Sequence, residues 1–234
     1  MLCSDPVAER AHALASEIGG QALASNAEVA ERADLVVLCH KPAQLKDVAA
    51  EVAPRARAAA SILAGITLEA LREAYPDKPV YRFVPSLPVE VRQGAIVQAR
   101  EPGTGDTGLD VEVKGLFAEL GTVVELPDGL VDVAMGLMSC GPAYVALVAE
   151  AQIDAGVRRG IPAGQGAELV VQTLAGTAEL LRKRGNDTQA VRREVTSPGG
   201  VTARGLDALE RGGLRAAFSD ALDAVLEQAR ASWR

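Results

Sequence analysis

The chain has 234 residues, of which 48% are apolar, 24% charged and only 3% aromatic, with a formal net charge of −7. This length suits one large domain or two small ones with a buried core, and an average apolar fraction at low charge per residue excludes a disordered or collagen-like chain. The acidic balance, with no basic run longer than Arg182-Lys183-Arg184, excludes the electrostatic footprint of a general nucleic-acid binder, though not a local site for a small anion.

From the amino terminus, Leu2-Cys3 reads as the end of a strand, and Pro6 to Ile18 as a helix with Pro in its first turn and Gly19-Gly20 after it. Gln21 to Leu23 is a weak strand and Asn26 to Ala33 a short helix, leading to a strong buried strand, Asp34 to Cys39. A helix from Gln44 to Ala53 precedes the strand Ser61 to Ala64, and Thr67 reads as the N-cap of a helix over Leu68 to Ala74. The strands Val80 to Val84 and Gly94 to Gln98 follow. A loop from Arg100 to Gly108, rich in Gly and Pro, leads to the helix Asp110 to Leu120 and the strand Thr122 to Leu126. Alternation of short apolar runs with helical patterns predicts a doubly wound, Rossmann-like parallel sheet over residues 1–127.

From Asp128 to residue 234 no alternating strand is visible, and apolar residues follow helical spacing, as at Leu214, Phe218, Leu222, Val225 and Ala229. The expectation is an all-α domain over residues 128–234, whose small-residue faces, such as Ala175, Gly176 and Ala178, suit close packing within a chain or between subunits. The longest uncharged stretch, Val133 to Ala149, is short for a membrane span and reads as a buried helix with its cap. Cys3, Cys39 and Cys140 are odd in number and far apart, which points to neither a disulfide framework nor a metal site. A cytoplasmic setting fits them, and no signal peptide is visible.

Four local patterns could carry chemistry. Ser197-Pro198-Gly199-Gly200-Val201-Thr202 precedes a helical run, where glycines let successive N–H groups converge on one carboxylate or phosphate; an ordinary capped loop has the same composition. Gly136 to Tyr144 opens a long helix, with Gly141 expected as N-cap and Pro142 at the first helical position. Cys39-His40-Lys41-Pro42 follows the strong strand at its carboxyl end, the edge where open α/β sheets bind ligands. Arg82 to Pro88 is a strand followed by a turn between two prolines.

In their order and spacing these patterns resemble the pyrroline-5-carboxylate reductase family. The resemblance rests on Lys41-Pro42, Ala64-Gly65-Ile66-Thr67, the Pro-x-x-Pro turn at Pro85 to Pro88, Ser139 to Tyr144, and Ser197 to Thr202 followed by Leu209-Glu210-x-x-Gly213-Leu214-Arg215. It implies reduction of 1-pyrroline-5-carboxylate to proline with NADPH or NADH, the last step of proline biosynthesis, in a homodimer or higher homo-oligomer formed through the C-terminal helices. It implies that Ser197 and amides around Gly199, Gly200 and Val201 hold the substrate carboxylate, and that Thr202 orients the imine nitrogen as the catalytic residue. It places Ser4, Asp5, Asn26, Cys39, Lys41, Pro42, Ala64 and Gly65 along the dinucleotide, and no metal. Ser4 and Arg10 suit a 2′-phosphate and Asp5 a free 2′-hydroxyl, so the choice of nucleotide stays open.

Two departures matter. The turn usually reads Pro-Asn-Thr-Pro, whereas here it is Pro85-Ser86-Leu87-Pro88. No Gly-rich phosphate loop precedes the strand ending at Cys3, so a first βα unit of about 30 residues is missing from the pattern. In the usual strand order 3-2-1-4-5-6 that strand is central. A chain starting at Met1 is therefore expected to fold its first half poorly or to pair the second and fourth strands abnormally, and to bind NAD(P)H weakly. A non-catalytic protein that keeps only the dimerisation module is the alternative reading.

Overall fold

A computed structural model describes residues 1–101 and 107–232. Pro102, Gly103 and Gly105 of the expected loop lie outside the described residues. The chain divides into two compact units, Met1–Ser139 together with the residues from Ala229 onward, and Cys140–Gln228.

The first unit holds seven strands among the described residues: β1 (Leu2–Cys3), β2 (Gln21–Ala22), β3 (Val36–Leu38), β4 (Ala59–Ser61), β5 (Val80–Pro85), β6 (Gly94–Ala99) and β7 (Gly121–Leu126). Between them run α1 (Ala8–Ile18), α2 (Asn26–Arg32), α3 (Leu45–Val52), α4 (Leu68–Ala74) and α5 (Gly108–Ala118), and α6 (Val131–Met138) follows β7. The cap at Thr67 forms as expected, its hydroxyl accepting the Ala70 N–H at 3.1 Å. β4 begins two residues before the expected strand. Its residues Ala59 and Ala60 have weak intrinsic strand preference, but the site is wholly buried, and packing against β3 and β5 overrides propensity.

The strands form two sheets, β1-β2 and β3-β4-β5-β6-β7. The α/β architecture is as expected, but the sheet is broken between β1 and β3, the centre of the doubly wound order. The expected abnormal pairing does not occur, because β1 pairs only with β2 and β3 only with β4. The larger sheet is also not wholly parallel. β6 runs antiparallel to β5, because the connection between them is too short for a crossover and folds instead as a 3-10 turn, Leu87–Val91. At the start of the β6–β7 ladder Gly94 faces Gly121, which has φ +150°, and a Cβ on Gly121 would collide with the Gly94 carbonyl.

Three apolar clusters hold this unit. One joins α3, α4, β3 and β4 around Leu38, Val52, Leu71 and Tyr75. A second joins β5 to α5, with Phe83 and Phe117 stacked at a centroid separation of 3.8 Å. In the third, Val131 and Ala134 of α6 pack on Leu68, Val84 and Val97. Beneath α6 lies an ionic cluster. Arg82, 2% exposed, donates to Asp128 at 2.7 Å and to Asp132 at 3.1 Å.

The second unit consists of α7 (Gly141–Val157), α8 (Ala163–Lys183), α9 (Thr188–Glu194), α10 (Val201–Arg211) and most of α11 (Leu214–Ser232). Tyr144 of α7 meets Phe218 of α11 edge to face at 6.4 Å. The expected cap moves by one position: Cys140 occupies the N-cap, Gly141 is already helical, and Pro142 follows where its missing N–H costs nothing. The expected burial of this helix fails within one chain. No residue of α7 is buried, and Leu147 and Leu169 are 64% and 61% exposed. Among the described residues, 128–157 is the one stretch apolar and long enough by composition to cross a membrane. It is divided at Ser139-Cys140 into α6, which packs on the sheet, and α7.

Candidate functional site

The candidate residues of the first unit lie after the carboxyl ends of strands. Ser4 and Asp5 follow β1, Cys39 to Pro42 follow β3, and Ala64-Gly65 come after β4. Asn26, the first residue of α2, joins Ser4: the Ser4 hydroxyl donates to Asn26 Oδ1 at 2.8 Å, and Asn26 Nδ2 donates to Glu51 Oε2 at 3.0 Å. The sequence reading missed Glu51, since nothing in the local pattern links the end of α3 to the start of α2. The Asp5 carboxylate accepts the Val7 N–H at 2.8 Å and thereby starts α1.

After β3, His40 Nδ1 lies 2.9 Å from the Lys41 carbonyl. A carbonyl only accepts, so Nδ1 donates to it; Nε2 is buried with no partner among the described residues. Gln44 closes the following turn, its side chain accepting the Lys41 N–H at 3.1 Å. Gly65 adopts φ +74°, a left-handed conformation open to glycine at little cost, and turns the chain from β4 toward the α4 cap.

The turn after β5 is zipped to β6. Ser86 is 4% exposed, its N–H donates to the Ala95 carbonyl at 3.0 Å, and its hydroxyl accepts the Ala95 N–H at 2.9 Å. That hydroxyl serves the fold, while Leu87 beside it is 63% exposed.

In the second unit, Ser197 to Gly200 make a tight turn into α10. The Gly200 N–H donates to the Ser197 carbonyl at 3.0 Å, Gly199 adopts φ +69°, and a Cβ on Gly200 would collide with the Ser197 hydroxyl. Gly200 is the N-cap and supplies no side chain, so the first amides of α10, at Val201, Thr202 and Ala203, receive no side-chain cap. They form a cluster of uncapped donors at the positive end of an 11-residue helix. The Gly200 amide itself is spent within the turn. At the other end of α10, Glu210 and Arg215 pair bidentately, with Arg215 Nε donating at 2.8 Å and Nη2 at 2.8 Å across the turn at Gly213, which has φ +78°. The sequence reading quoted both residues without pairing them. Their opposite charges on either side of a Gly-Gly turn were the available signal.

The described residues do not complete a dinucleotide site. The candidate side chains stand after the carboxyl ends of strands, and among the described residues no Gly-rich turn lies between β1 and β3, where a pyrophosphate is held in this class of sheet.

Comparison with known proteins accounts for both units. A sequence model of the family described as "Pyrroline-5-carboxylate reductase dimerisation" matches residues 128–232, and one described as "NADP oxidoreductase coenzyme F420-dependent" matches residues 1–65. Pyrroline-5-carboxylate reductase 3 of Mus musculus is 36% identical over 217 residues, covering 91% of this chain and 79% of the mouse protein. Among solved structures, a pyrroline-5-carboxylate reductase from Coxiella burnetii superposes with a TM-score of 0.89 at 26% identity, over 98% of this chain and 87% of that one. The Plasmodium falciparum pyrroline carboxylate reductase, solved with NADP bound, superposes with a TM-score of 0.81 at 26% identity, over 100% and 87% of the two chains.

Proposed function

This chain belongs to the pyrroline-5-carboxylate reductase family, and from that premise we propose that it serves the reduction of 1-pyrroline-5-carboxylate to proline with NADPH or NADH as hydride donor, the last step of proline biosynthesis. The observation that carries the reading is the Ser197–Thr202 turn. Its uncapped α10 amides, with the Ser197 hydroxyl, suit the ring carboxylate of the substrate. Thr202, the second residue of α10, is half-buried beside them and supplies a hydroxyl to orient the ring nitrogen. A hydroxyl is a weak acid near neutral pH, so its role is orientation and not proton donation.

The match to a dimerisation family and the uncovered apolar side chains of α7 and α8 support a homo-oligomer built through the helical unit. Ser4, Asp5, Asn26, Cys39, Lys41, Pro42, Ala64 and Gly65 are the groups this chain offers to the dinucleotide. A second reading, a non-catalytic protein that retains the dimerisation unit, draws on the broken sheet.

Binding of the product tests the substrate half without the cofactor. Calorimetric titration with L-proline should show binding by the chain, weakened about tenfold or more in Thr202→Ala and restored in Thr202→Ser. In a competent enzyme Thr202→Ala should lower turnover about 10- to 100-fold with the circular-dichroism spectrum unchanged. Equal proline binding and equal rate in the Ala variant would remove the role assigned to Thr202.

A further inference from the structure

A single carboxylate joins distant segments of the first unit. Asp128 opens the 3-10 turn, Asp128–Leu130, that leads into α6. Its Oδ1 accepts from Arg82 of β5 at 2.7 Å, and its Oδ2 accepts the Leu68 N–H, the first amide of α4, at 3.2 Å. The two oxygens thus serve different partners, 46 and 60 residues away along the chain, and the plane of the carboxylate is fixed between them. Asp132 differs. Among the described residues its carboxylate bonds to Arg82 only, at 3.1 Å, and its side chain is 42% exposed against 19% for Asp128. Asp132 supplies charge, whereas Asp128 supplies charge and a link.

The link matters because of the turn it closes. β4 ends at Ser61, in register with Arg82, and the chain comes back to the core at Leu68. Leu63 and Leu68 are buried, while Ala64 and Thr67 between them are exposed and Gly65 and Ile66 half-buried. The entry to the turn is held locally, by the Leu63 N–H donating to the buried Ser61 hydroxyl at 3.2 Å. Its exit is held from far along the chain. The Thr67 hydroxyl is engaged by the Ala70 N–H, so the Leu68 N–H, one of the amides that a helix start leaves unpaired, takes its acceptor from Asp128. Arg82 keeps that acceptor in place. Its guanidinium is too deeply buried to turn to water, so Asp128 cannot swing outward without leaving the charge to the better-hydrated Asp132.

The turn also has a place in the candidate site. In a doubly wound sheet a dinucleotide lies across the carboxyl edge, with one mononucleotide to each half. Ser4 and Asn26 stand with β1 and β2 in one sheet, and Ala64 and Gly65 follow β4 in the other. The adenosine ribose falls to the first pair and the nicotinamide to the second.

We propose that Asp128 is a positioning residue for the nicotinamide end of the dinucleotide: by tying the first amide of α4 to the buried Arg82, it sets the Ala64–Thr67 turn against the sheet and so the contact that this turn makes with the ring. This role rests on the reading as an NAD(P)H-dependent reductase, whereas the link through Asp128 does not.

Two variants and two ligands separate positioning from support of the fold. In Asp128→Asn the single amide oxygen goes to the charged guanidinium, the stronger donor, and the NH2 group turns toward the Leu68 N–H, donor against donor. Asp132→Asn removes the other charge on Arg82 and leaves both Asp128 oxygens engaged. The readouts are amide hydrogen exchange at Leu68 and calorimetric affinities for NADPH and for 2′-phospho-ADP-ribose, the same molecule without its nicotinamide. Asp128→Asn should speed exchange at Leu68 by about tenfold or more and weaken NADPH binding by about tenfold, with the affinity for 2′-phospho-ADP-ribose within about twofold of the parent. Asp132→Asn should stay within about twofold of the parent in all three. Loss of both affinities in step in Asp128→Asn overturns the proposal, since a residue that only holds the fold moves both ends alike. Unchanged NADPH affinity in that variant, or an equal loss in Asp132→Asn, overturns it too. Where the parent binds both ligands, these outcomes remove the positioning role alone; a parent that binds neither removes the reductase reading, and the role with it.

Discussion

Removing Asp128 should cost more stability than removing the buried arginine it pairs with. Arg82 is 2% exposed, and its two partners differ in kind: Asp128, 2.7 Å away with its side chain 19% exposed, and Asp132, 3.1 Å away and 42% exposed. Asp128→Ala leaves a buried guanidinium with only the better-hydrated carboxylate. Breaking a buried pair from one side costs about 3–5 kcal/mol, and the surviving Asp132 holds this case near about 3. Asp128 also accepts the first N–H of α4, from Leu68, at 3.2 Å, whose loss adds about 1 kcal/mol. Arg82→Met instead leaves carboxylates that water can reach and fills most of the vacated volume, at a cost of about 1–2 kcal/mol. The double variant R82M/D128A should cost about 1 kcal/mol more than R82M alone, because the Leu68 N–H still loses its acceptor, a coupling of about 3 kcal/mol. Urea unfolding followed by far-UV circular dichroism supplies all three values. A cost below about 1 kcal/mol for Asp128→Ala, or simple additivity in the double variant, would show that Arg82 does not depend on Asp128 for its charge.

Ser86→Ala should destabilise the first unit by about 1 kcal/mol, because the Ala95 N–H loses the acceptor that the buried Ser86 hydroxyl supplies, whereas Leu87→Ala at the exposed neighbour should stay within about 0.5 kcal/mol; the same urea assay compares them. The Thr107 N–H holds the Asp110 carboxyl below the usual range, against a smaller opposing effect of burial, with further help from Tyr81, the Thr107 hydroxyl and Arg100. A folded-state value below the unfolded one stabilises the protein above the unfolded value, and that stabilisation is lost as pH falls through the folded one. Stability should therefore fall less steeply below about pH 4 in Asp110→Asn than in the parent, and identical acid limbs in thermal denaturation would contradict the assignment.

The candidate site was unevenly legible in the sequence. The glycines at 199 and 200 announced a turn and Thr67 announced a cap, because these features depend on a residue and its immediate neighbours. The Ser4–Asn26–Glu51 relay was half legible: Ser4 and Asn26 were named without their contact, and Glu51 was not named at all. Arg82 read as one residue of a strand. Its burial and its two carboxylate partners come from α6 folding over the carboxyl half of the sheet, a contact between segments 46 and 50 residues apart.

Local chemistry by itself determined the elements, their alternation, the change to helices after Asp128 and the glycine turns, since each follows from hydrophobic period and backbone freedom within a few residues. Only the tertiary structure decided how the strands group: β1 and β3 do not pair with each other, and the described strands form two sheets. The reason is geometric, for each strand's register is set by the neighbour it has, β2 or β4, and the helices that return the chain hold the two halves on either side of the central position. The tertiary structure likewise decided that α7 lies uncovered, because burial depends on what else the chain can place over a face and not on how apolar the face is.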